Sequence, residues 1–389
     1  MMGTFDWEKV EASGLCDYGL YAGKIAERLK TAKETAEKDG VRPCVLCGLN
    51  NADQDHAYLD ILRQNLNAVL DGMLACADAL GSEVCELYLP ENETVLAEQI
   101  QGAVTEKGIA LKHGIIDVRE SADDFLIHLA GAADLALLLG DNFPEGRYFK
   151  TKDGLQRMPE STPLGEALDL TGAKAVWVGA KYVTPEEAKE LTIAACPTGT
   201  AEVLGKTSCI VAETAKKLHT YREISCGKCV FCREGLIQLE YEQNEITKAR
   251  GKAEFEGYAQ EIGDAMHTQT LCSVGQNAGD CALSAFEKFQ DEYDQHIKKN
   301  NCPAGVCAAF SHLYIDPQAC TGCGDCLDVC PVDAILGKPG YIHMIEDLDC
   351  TRCGKCVDVC EENAILRASG KLPKLPQRLV KVGKFKRHG

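Results

Sequence analysis

The chain has 389 residues, of which 45% are apolar and 26% are charged, and this length accommodates two or three globular domains. Its formal net charge of −18 argues against binding to nucleic acid or to an anionic membrane surface, because phosphate groups would repel the protein. We also expect no membrane-spanning helix, since the sequence lacks a run of about 18 uninterrupted apolar residues.

Cysteine is the most informative residue type, with 22 copies in the chain. The N-terminus has no basic region followed by an apolar one, so we expect no secretory signal and a reducing, cytoplasmic location. In such a compartment closely spaced cysteines bind metal more often than they form disulfides. The tightly spaced cysteines all follow Cys209, so the chemistry is expected in the second half of the chain.

The first half predicts an α/β domain, which we place at residues 1–172. Between residues 41 and 140, apolar strand-like segments alternate with helical patterns. Residues 43–48 and 82–89 predict strands, and residues 58–81 predict one helix or two. Cys44 and Cys47 fall in the first strand, where side chains three apart point to opposite faces, so they are not expected to share a metal. The remaining scattered cysteines are expected in the core, namely Cys16, Cys76, Cys85, Cys196 and Cys281.

A helical iron–sulfur domain is predicted for residues 211–300. The segment SCGKCVFCREGL places Cys226, Cys229 and Cys232 at a C-x₂-C-x₂-C spacing, but a cuboidal cluster normally takes four thiolates. The following residues predict two antiparallel helices, because apolar side chains recur at helical spacing at Leu236, Leu239, Ile246, Phe255, Tyr258, Ile262 and Met266. Such a hairpin returns the chain to its start, so Cys272 is the expected fourth ligand.

A two-cluster α+β ferredoxin domain of the bacterial type is predicted for residues 313–368. The runs CTGCGDCLDVCP (320–331) and CTRCGKCVDVCE (350–361) both have the C-x₂-C-x₂-C-x₃-C spacing, in which the fourth cysteine ligates the other cluster. The expected ligand sets are therefore Cys320, Cys323, Cys326 and Cys360 for one 4Fe-4S cluster, and Cys350, Cys353, Cys356 and Cys330 for the other. Gly322, Gly324 and Gly354 suit tight turns around the sulfurs. The alternative is a pair of zinc knuckles, which also use C-x₂-C.

The last residues, 369–389, form a basic tail on an acidic chain. A solvated and partly disordered tail is the default expectation for such a segment. A strap that docks on an acidic partner subunit is the sharper alternative.

These motifs carry a family resemblance. SCGKCVFCREG followed by the distant TLCSVGQ resembles the cluster-binding helical domain of the NADH- and FMN-binding subunit of respiratory complex I. The segment LRQNLNAVLDGMLACADALG is similar to the FMN-binding domain of the same subunit. Continuation into a two-cluster ferredoxin module resembles the beta subunits of NAD-linked, electron-bifurcating iron hydrogenases and formate dehydrogenases.

The resemblance implies a structural zinc in the linker at residues 301–312. The hydrogenase-type subunits have a similar Cys-Pro-Ala-Gly-x-Cys linker, matched here by Cys302 and Cys307. Cys209 and His296 occupy positions that could complete a Cys₃His tetrahedron. The alternative is that Cys209 is a buried apolar residue and His296 a surface residue of a helix.

The resemblance also implies FMN and NADH binding, but the residues depart from the family pattern. The glycine-rich phosphate loop is matched only by Gly14, Gly19 and Gly23, with bulky Leu20 and Tyr21 between them. The family's acidic loop is replaced by LNNADQDHA (49–57), and its ubiquitin-like domain is reduced to a remnant within residues 173–210. We therefore expect a degenerate flavin domain that serves as a scaffold without FMN.

Three functions follow from these observations. The preferred hypothesis is an electron-transfer subunit with three 4Fe-4S clusters in a hetero-oligomeric, anaerobic oxidoreductase. Its expected partners are a flavoprotein and another redox subunit or soluble ferredoxin. The competing hypothesis is an FMN-dependent NADH dehydrogenase module of an electron-bifurcating complex. In the third hypothesis, the cysteines hold zinc in a structural or interaction protein.

Overall fold

A computed structural model describes residues 5–19, 22–114, 124–369 and 372–385. Leu20 and Tyr21 of the expected phosphate loop lie outside these ranges. The chain divides into two compact units. The first comprises the described residues up to Gly205 together with Lys217–Leu239 and Ala259–Lys288, and the second comprises Lys206–Lys216, Glu240–Tyr258 and the described residues from Phe289 onward.

The first unit begins with an open parallel sheet. Its strands are β1 (Val45–Gly48), β2 (Cys85–Leu89), β3 (Ala110–His113) and β4 (Phe125–His128), in the order β3-β2-β1-β4. The helices of this region are α1 (Trp7–Ser13), α2 (Ile25–Asp39), α3 (Leu59–Leu80), α4 (Thr94–Glu106) and α5 (Leu129–Leu139). Every residue of β1 is buried, as expected for the interior strand of a parallel sheet with covered faces.

Helix α3 contains the hydrophobic run that the sequence predicts as one helix or two. The structure has a single helix with a kink at Asn65, where φ is −145°. Its C-terminal part packs very closely on α5. A Cβ added at Gly72 would lie 1.8 Å from the Ala132 carbonyl oxygen, so only glycine permits this approach.

Two smaller sheets complete the N-terminal part of the first unit. Strands β5 (Arg147–Thr151) and β6 (Gly154–Met158) form an antiparallel hairpin. Strands β7 (Ala173–Val178), β8 (Lys181–Val183) and β9 (Ala201–Gly205) form an antiparallel sheet in the order β8-β7-β9. Two short helices, α6 (Leu164–Ala167) and α7 (Pro185–Glu190), and the 3₁₀ helix Ile193–Ala195 belong to the same region.

Four longer helices follow, namely α8 (Ile210–Ile224), α9 (Val230–Thr247), α10 (Phe255–Gln269) and α11 (Ser273–Lys299). The expected hairpin corresponds to α9 and α10. Its apolar stripe is confirmed at Leu236, Leu239 and Met266, which are fully buried. Tyr258 also lies in α10, as its spacing predicts, but it is 49% exposed and so does not belong to the buried stripe.

The second unit ends in a ferredoxin-like module with an internal repeat. Its elements are the 3₁₀ helix Ala308–Phe310, β10 (Ser311–Ile315), α12 (Asp325–Asp328), β11 (Ile335–Leu336), β12 (Met344–Ile345), α13 (Lys355–Asp358) and β13 (Ile365–Ser369). Strand β10 pairs antiparallel with β13, and β11 pairs antiparallel with β12. Cys320, Cys326 and Cys356 belong to the core of this module.

The described part of the basic tail lies on this module. The amide of Ile342 donates to the Val380 carbonyl at 2.9 Å, and the amide of Val382 donates to the Gly340 carbonyl at 3.2 Å. Val380 and Phe385 pack against the module's core. Residues 381–384 are exposed, as expected for a solvated tail, but the expected disorder is wrong for residues 380–385, because backbone pairing and two apolar side chains hold them. Residues 370, 371 and 386–389 of the tail lie outside the described ranges.

Candidate metal centres

The first cysteine group lies in the first unit, at the ends of three helices. Cys226 and Cys229 occupy the loop between α8 and α9, and Cys232 lies in the first turn of α9. Cys272 lies between α10 and α11. A Cβ at Gly235 would lie 2.5 Å from the Met266 sulfur, so α9 and α10 approach closely within this unit.

The thiols of this group are near enough to influence one another. Burial raises the pKa of Cys272 to about 11, and the neighbouring Cys232 and Cys226 raise it further. Burial also raises the pKa of Cys232, with Cys229 and Cys226 acting in the same direction. Iron would replace these protons, because metal ligation requires the thiolate form. The donor set therefore suits a four-thiolate cluster.

The eight cysteines of the ferredoxin module line two cavities. One cavity is lined by Cys320, Cys323, Cys326 and Cys360, and the other by Cys330, Cys350, Cys353 and Cys356. These groups have the composition of the two ligand sets expected from the crossed ferredoxin pattern. Backbone amides point at sulfur in both, since Ala334 N lies 3.2 Å from Cys330 Sγ and Ala364 N lies 3.3 Å from Cys360 Sγ.

The glycines of the two cysteine runs adopt the backbone conformation that the sequence predicts. Gly322, Gly324 and Gly354 have φ values of 74°, 108° and 83°, in the left-handed region that favours glycine. A Cβ at Gly322 would lie 2.7 Å from the Tyr341 carbonyl oxygen. Glycine therefore allows both the turn and the close contact at that position.

A third type of centre lies in the second unit, at the start of α8 and the end of α11. Ligand atoms of Cys209, His296, Cys302 and Cys307 lie within 4.8 Å of one another, and all four residues are buried. His296 Nε2 is 3.4 Å from Cys209 Sγ and 3.7 Å from Cys307 Sγ. The other ring nitrogen, Nδ1, lies 2.8 Å from the Glu292 carbonyl oxygen. A hydrogen bond there would direct Nε2 at the thiols, as outer partners of metal-bound histidines commonly do.

One thiol of this group is favoured as the thiolate that a metal requires. Hydrogen bonds from Cys209 and Cys307 hold the pKa of the Cys302 thiol well below its usual range. A thiolate and an imidazole nitrogen are preferred zinc ligands, and a Cys₃His set is a common structural zinc site. The alternative that His296 is a surface residue is wrong, because His296 is 1% exposed.

The cysteines assigned to the core are mostly buried. Cys47, Cys76, Cys85, Cys196 and Cys281 are buried, whereas Cys16 and Cys44 are partly exposed. Cys44 lies just before β1 and Cys47 within it. Burial raises the pKa of Cys44 to about 12, so the thiolate needed for a redox or metal role is disfavoured.

The structure also contains a feature that the sequence did not predict, a cavity of about 1230 Å³ in the first unit. The segments after β1 and β2 contribute Gly48–Asn51 and Leu89–Asn92, and α2 contributes Arg28. Cys272 and Ser273 also line it, so the cavity adjoins the first cysteine group. Open α/β sheets often bind ligands beyond the carboxyl ends of their strands, which is the general signal for such a site.

The residues around this cavity do not fit the FMN phosphate in the way that the family's glycine-rich loop does. Two of the loop's amides already have partners, since Asp17 N donates to the Gly23 carbonyl and Gly19 N donates to the Pro197 carbonyl, both at 3.0 Å. Arg28 Nη1 is 2.5 Å from the buried Asp17 carboxylate. The cavity wall also carries carboxylates, which oppose a phosphate dianion, at Glu27, Asp53, Glu91, Asp124 and Glu223.

No helix in the described ranges is long and apolar enough to cross a bilayer, as the composition leads us to expect.

Comparison with known proteins identifies two iron–sulfur regions. Residues 196–296 match the NADH-ubiquinone oxidoreductase-F iron-sulfur binding region, and residues 312–361 match a 4Fe-4S dicluster domain. The NADP-reducing hydrogenase subunit HndC of Solidesulfovibrio fructosivorans is 31% identical over 205 residues, which are 53% of this chain and 39% of that protein. The F subunit of NADH-quinone oxidoreductase from Mycobacterium tuberculosis is 30% identical over 102 residues, which are 26% of this chain and 23% of that protein.

A solved structure shares the fold. The crystal structure of an NAD+-reducing NiFe-hydrogenase in the H2-reduced state aligns with a TM-score of 0.62 and 17% identity, covering 75% of this chain and 62% of that one. The chain spans about two fifths of HndC and about a quarter of the mycobacterial protein. The chain resembles the F subunit of NADH-quinone oxidoreductases joined to a two-cluster ferredoxin module, as its cysteine motifs predict.

Proposed function

We propose that this chain is an electron-transfer subunit of a multi-subunit oxidoreductase that relays electrons through three 4Fe-4S clusters. The observation that carries the proposal is the sorting of the twelve motif cysteines into three groups of four, two of which line separate cavities. Four thiolates are the usual ligand set of a cubane cluster. The matches to two iron–sulfur regions support the same chemistry.

Bound clusters would supply reversible one-electron chemistry, and the chain's residues would set its conditions. The thiolates would ligate the iron, while backbone amides such as those of Ala334 and Ala364, which lie within hydrogen-bond distance of sulfur, would stabilise the reduced state of a bound cluster. Burial of Cys232, Cys326 and Cys356 keeps water from part of each group. These features position and tune electron carriers without a proton-transfer step.

The proposed partners are a flavin-bearing subunit on one side and another redox subunit or soluble ferredoxin on the other. The relatives are named as subunits of an NADP-reducing hydrogenase and of NADH-quinone oxidoreductases, which supports a hetero-oligomeric setting. We place this complex in the cytoplasm of an anaerobe, within flavin-based electron bifurcation. The abundance of cysteines supports a reducing compartment.

A structural zinc at Cys209, His296, Cys302 and Cys307 is part of the proposal. The short distances among the four ligand atoms support it. Such an ion would fix the 302–307 linker to the ends of α8 and α11 within the second unit, and so would hold the start of the ferredoxin module in place. Iron bound by Cys₃His is the competing occupant, which metal analysis distinguishes.

A second candidate function is an FMN-dependent NADH dehydrogenase module. The cavity of about 1230 Å³ beside Cys272 favours it, because it is large enough for an organic cofactor. The loop amides that already donate hydrogen bonds within the chain, and the carboxylates in the cavity wall, argue against FMN binding. Acid extraction of the purified chain tests this function, since release of about one FMN per chain and reduction of the clusters by NADH would support it.

Metal analysis after anaerobic purification tests the preferred function. We expect about twelve iron and twelve sulfide per chain, with one zinc. An iron content near eight would remove one cluster from the proposal. A colourless protein with zinc and little iron would overturn the electron-transfer role.

A further inference from the structure

The two halves of the ferredoxin module carry opposite charges at equivalent positions. The loop after Cys320 reads TGCGD, whereas the loop after Cys350 reads TRCGK. Gly322 thus corresponds to Arg352, and Asp325 corresponds to Lys355. Both Asp325 and Lys355 are exposed, and Arg352 is half-buried.

The residues that follow the fourth cysteine of each run increase this difference. The cavity with Cys320, Cys323, Cys326 and Cys360 is also lined by Asp325, Glu361 and Glu362. The cavity with Cys330, Cys350, Cys353 and Cys356 is also lined by Pro331, Val332 and Lys355. Three carboxylates therefore surround the first cavity, while a lysine and no carboxylate of the described residues line the second.

We propose that the cluster at the second cavity, the Cys350 set, accepts an electron before the cluster at the first cavity, the Cys320 set. This inference rests on the two ferredoxin clusters of the proposed function. The step is the gain of one electron from a one-electron donor such as dithionite, with no bond formed or broken. The added negative charge is stabilised by nearby cations and opposed by nearby carboxylates.

The size of the effect follows from Coulomb's law. A unit charge on the order of 7 Å away, at the dielectric constant of water, changes a one-electron equilibrium by about threefold. Three carboxylates at the first cavity and Lys355 at the second contribute four such factors, which together favour the Cys350 set by about a hundredfold at low ionic strength. Because tenfold corresponds to 59 mV for one electron, this is about 120 mV. Arg352 contributes less than Lys355, since it lies 3.5 Å from Asp347.

One buried group acts in the opposite direction. His343 lines the cavity of the Cys320 set, with Nδ1 at 3.8 Å from Cys320 Sγ, while Leu313 lines the other cavity. A Cβ at Gly337 would lie 1.6 Å from the His343 ring, so this glycine allows the imidazole its position. A hydrogen bond to sulfur favours the reduced Cys320 set, by no more than about tenfold. The effect of the charged residues is larger than the effect of this hydrogen bond, so the Cys350 set is still expected to be reduced first.

Redox titration of the full-length holoprotein, followed by electron paramagnetic resonance at low ionic strength, tests the order. Two reduction waves are expected for the two ferredoxin clusters. The reduction equilibrium constants of the two clusters should differ by at least about tenfold. Each variant changes the local charge by two units, so Asp325→Lys should raise the lower reduction potential and Lys355→Asp should lower the higher one, each by about ninefold in the equilibrium constant. Added salt should narrow the separation in the unaltered protein, which requires no variant to fold.

Asp328→Asn and Asp358→Asn are the matched controls, because both residues are exposed and occupy equivalent positions in α12 and α13. Asp328→Asn should shift the wave of the Cys320 set, Asp358→Asn should shift the wave of the Cys350 set, and the two shifts should be of similar size. If Asp325→Lys moved the higher wave, or the separation were insensitive to salt, the proposed order would be overturned. Failure of the proposed function would differ, because iron analysis would then show that one or both ferredoxin clusters are missing.

Discussion

Glu242 gives the sharpest prediction about stability. It lies in α9, within the second unit, and is 1% exposed. Both carboxylate oxygens are shielded from solvent and have no hydrogen-bond partner among the residues that the structure describes. The neighbouring Gln243 accepts a hydrogen bond from the Tyr293 hydroxyl at 2.7 Å, so α9 presents two polar side chains to the interior. Burial raises the pKa of Glu242 to about 7.

The pH dependence follows from the direction of this shift. A carboxyl whose pKa is higher in the folded state stabilises the fold below the unfolded pKa and loses that contribution as pH rises through the folded pKa. The difference between 4.5 and about 7 corresponds to about 3 kcal/mol in total. About 2 kcal/mol of this is lost between pH 5.5 and pH 8, which amounts to about 4 °C in Tm.

The Glu242→Gln variant removes this titration. Anaerobic thermal unfolding of the holoprotein, followed by circular dichroism at pH 5.5 and pH 8, compares the variant with the unaltered chain, so contributions from the clusters cancel. Between pH 5.5 and pH 8, the Tm of the variant should fall by about 4 °C less than the Tm of the unaltered chain. Glu245→Gln is the matched control in the same helix, because its hydrogen bond with Arg250 lowers the pKa of Glu245 and gives the opposite sign. A parallel loss of Tm in Glu242→Gln and the unaltered chain would refute the reasoning.

The other predictions concern ligation and packing. Cys272→Ala should lose about four of the twelve iron atoms expected per chain. Cys281→Ala changes a buried cysteine outside every cysteine group and should keep all of the iron. Equal iron contents in the two variants would exclude Cys272 as a ligand. His296→Ala should lose zinc but retain iron by elemental analysis, and loss of iron alone would identify that site as an iron site. Gly72→Ala should destabilise by about 3 kcal/mol in denaturant unfolding, because its Cβ would overlap Ala132. Gly102→Ala, in open space on α4, should not destabilise; similar costs for both would contradict the close-approach argument.

The cysteine runs were predictable because their information is local. A C-x₂-C-x₂-C spacing brings three thiols together within one or two turns, whatever surrounds them. The crossed pairing of Cys330 and Cys360 required only the internal repeat, and the two cavities have that composition. The α/β character of the first half was equally readable, since buried strands and amphipathic helices differ in their hydrophobic period.

The features that were missed depend on residues far apart in the chain. The spacing of Leu239 and Ile246 places Glu242 on the apolar face of α9, but the sequence does not indicate that both carboxylate oxygens will be buried without a partner among the described residues. The cavity beside Cys272 is formed by segments that follow different strands, so no continuous motif marks it. Residues 380–385 looked like a solvated tail by composition, yet pairing with Gly340 and Ile342 holds them.

The amino-acid sequence alone predicted which thiols could share a metal and determined what general kind of fold carries them, because spacing and periodicity act over a few residues. The tertiary structure decided the environment of those groups. It placed three carboxylates at one ferredoxin cavity and a lysine at the other, and it engaged the amides of Asp17 and Gly19 in the expected phosphate loop in internal hydrogen bonds. Burial, hydrogen bonding and charge at a site are sums over distant segments, and only the folded chain brings those segments together.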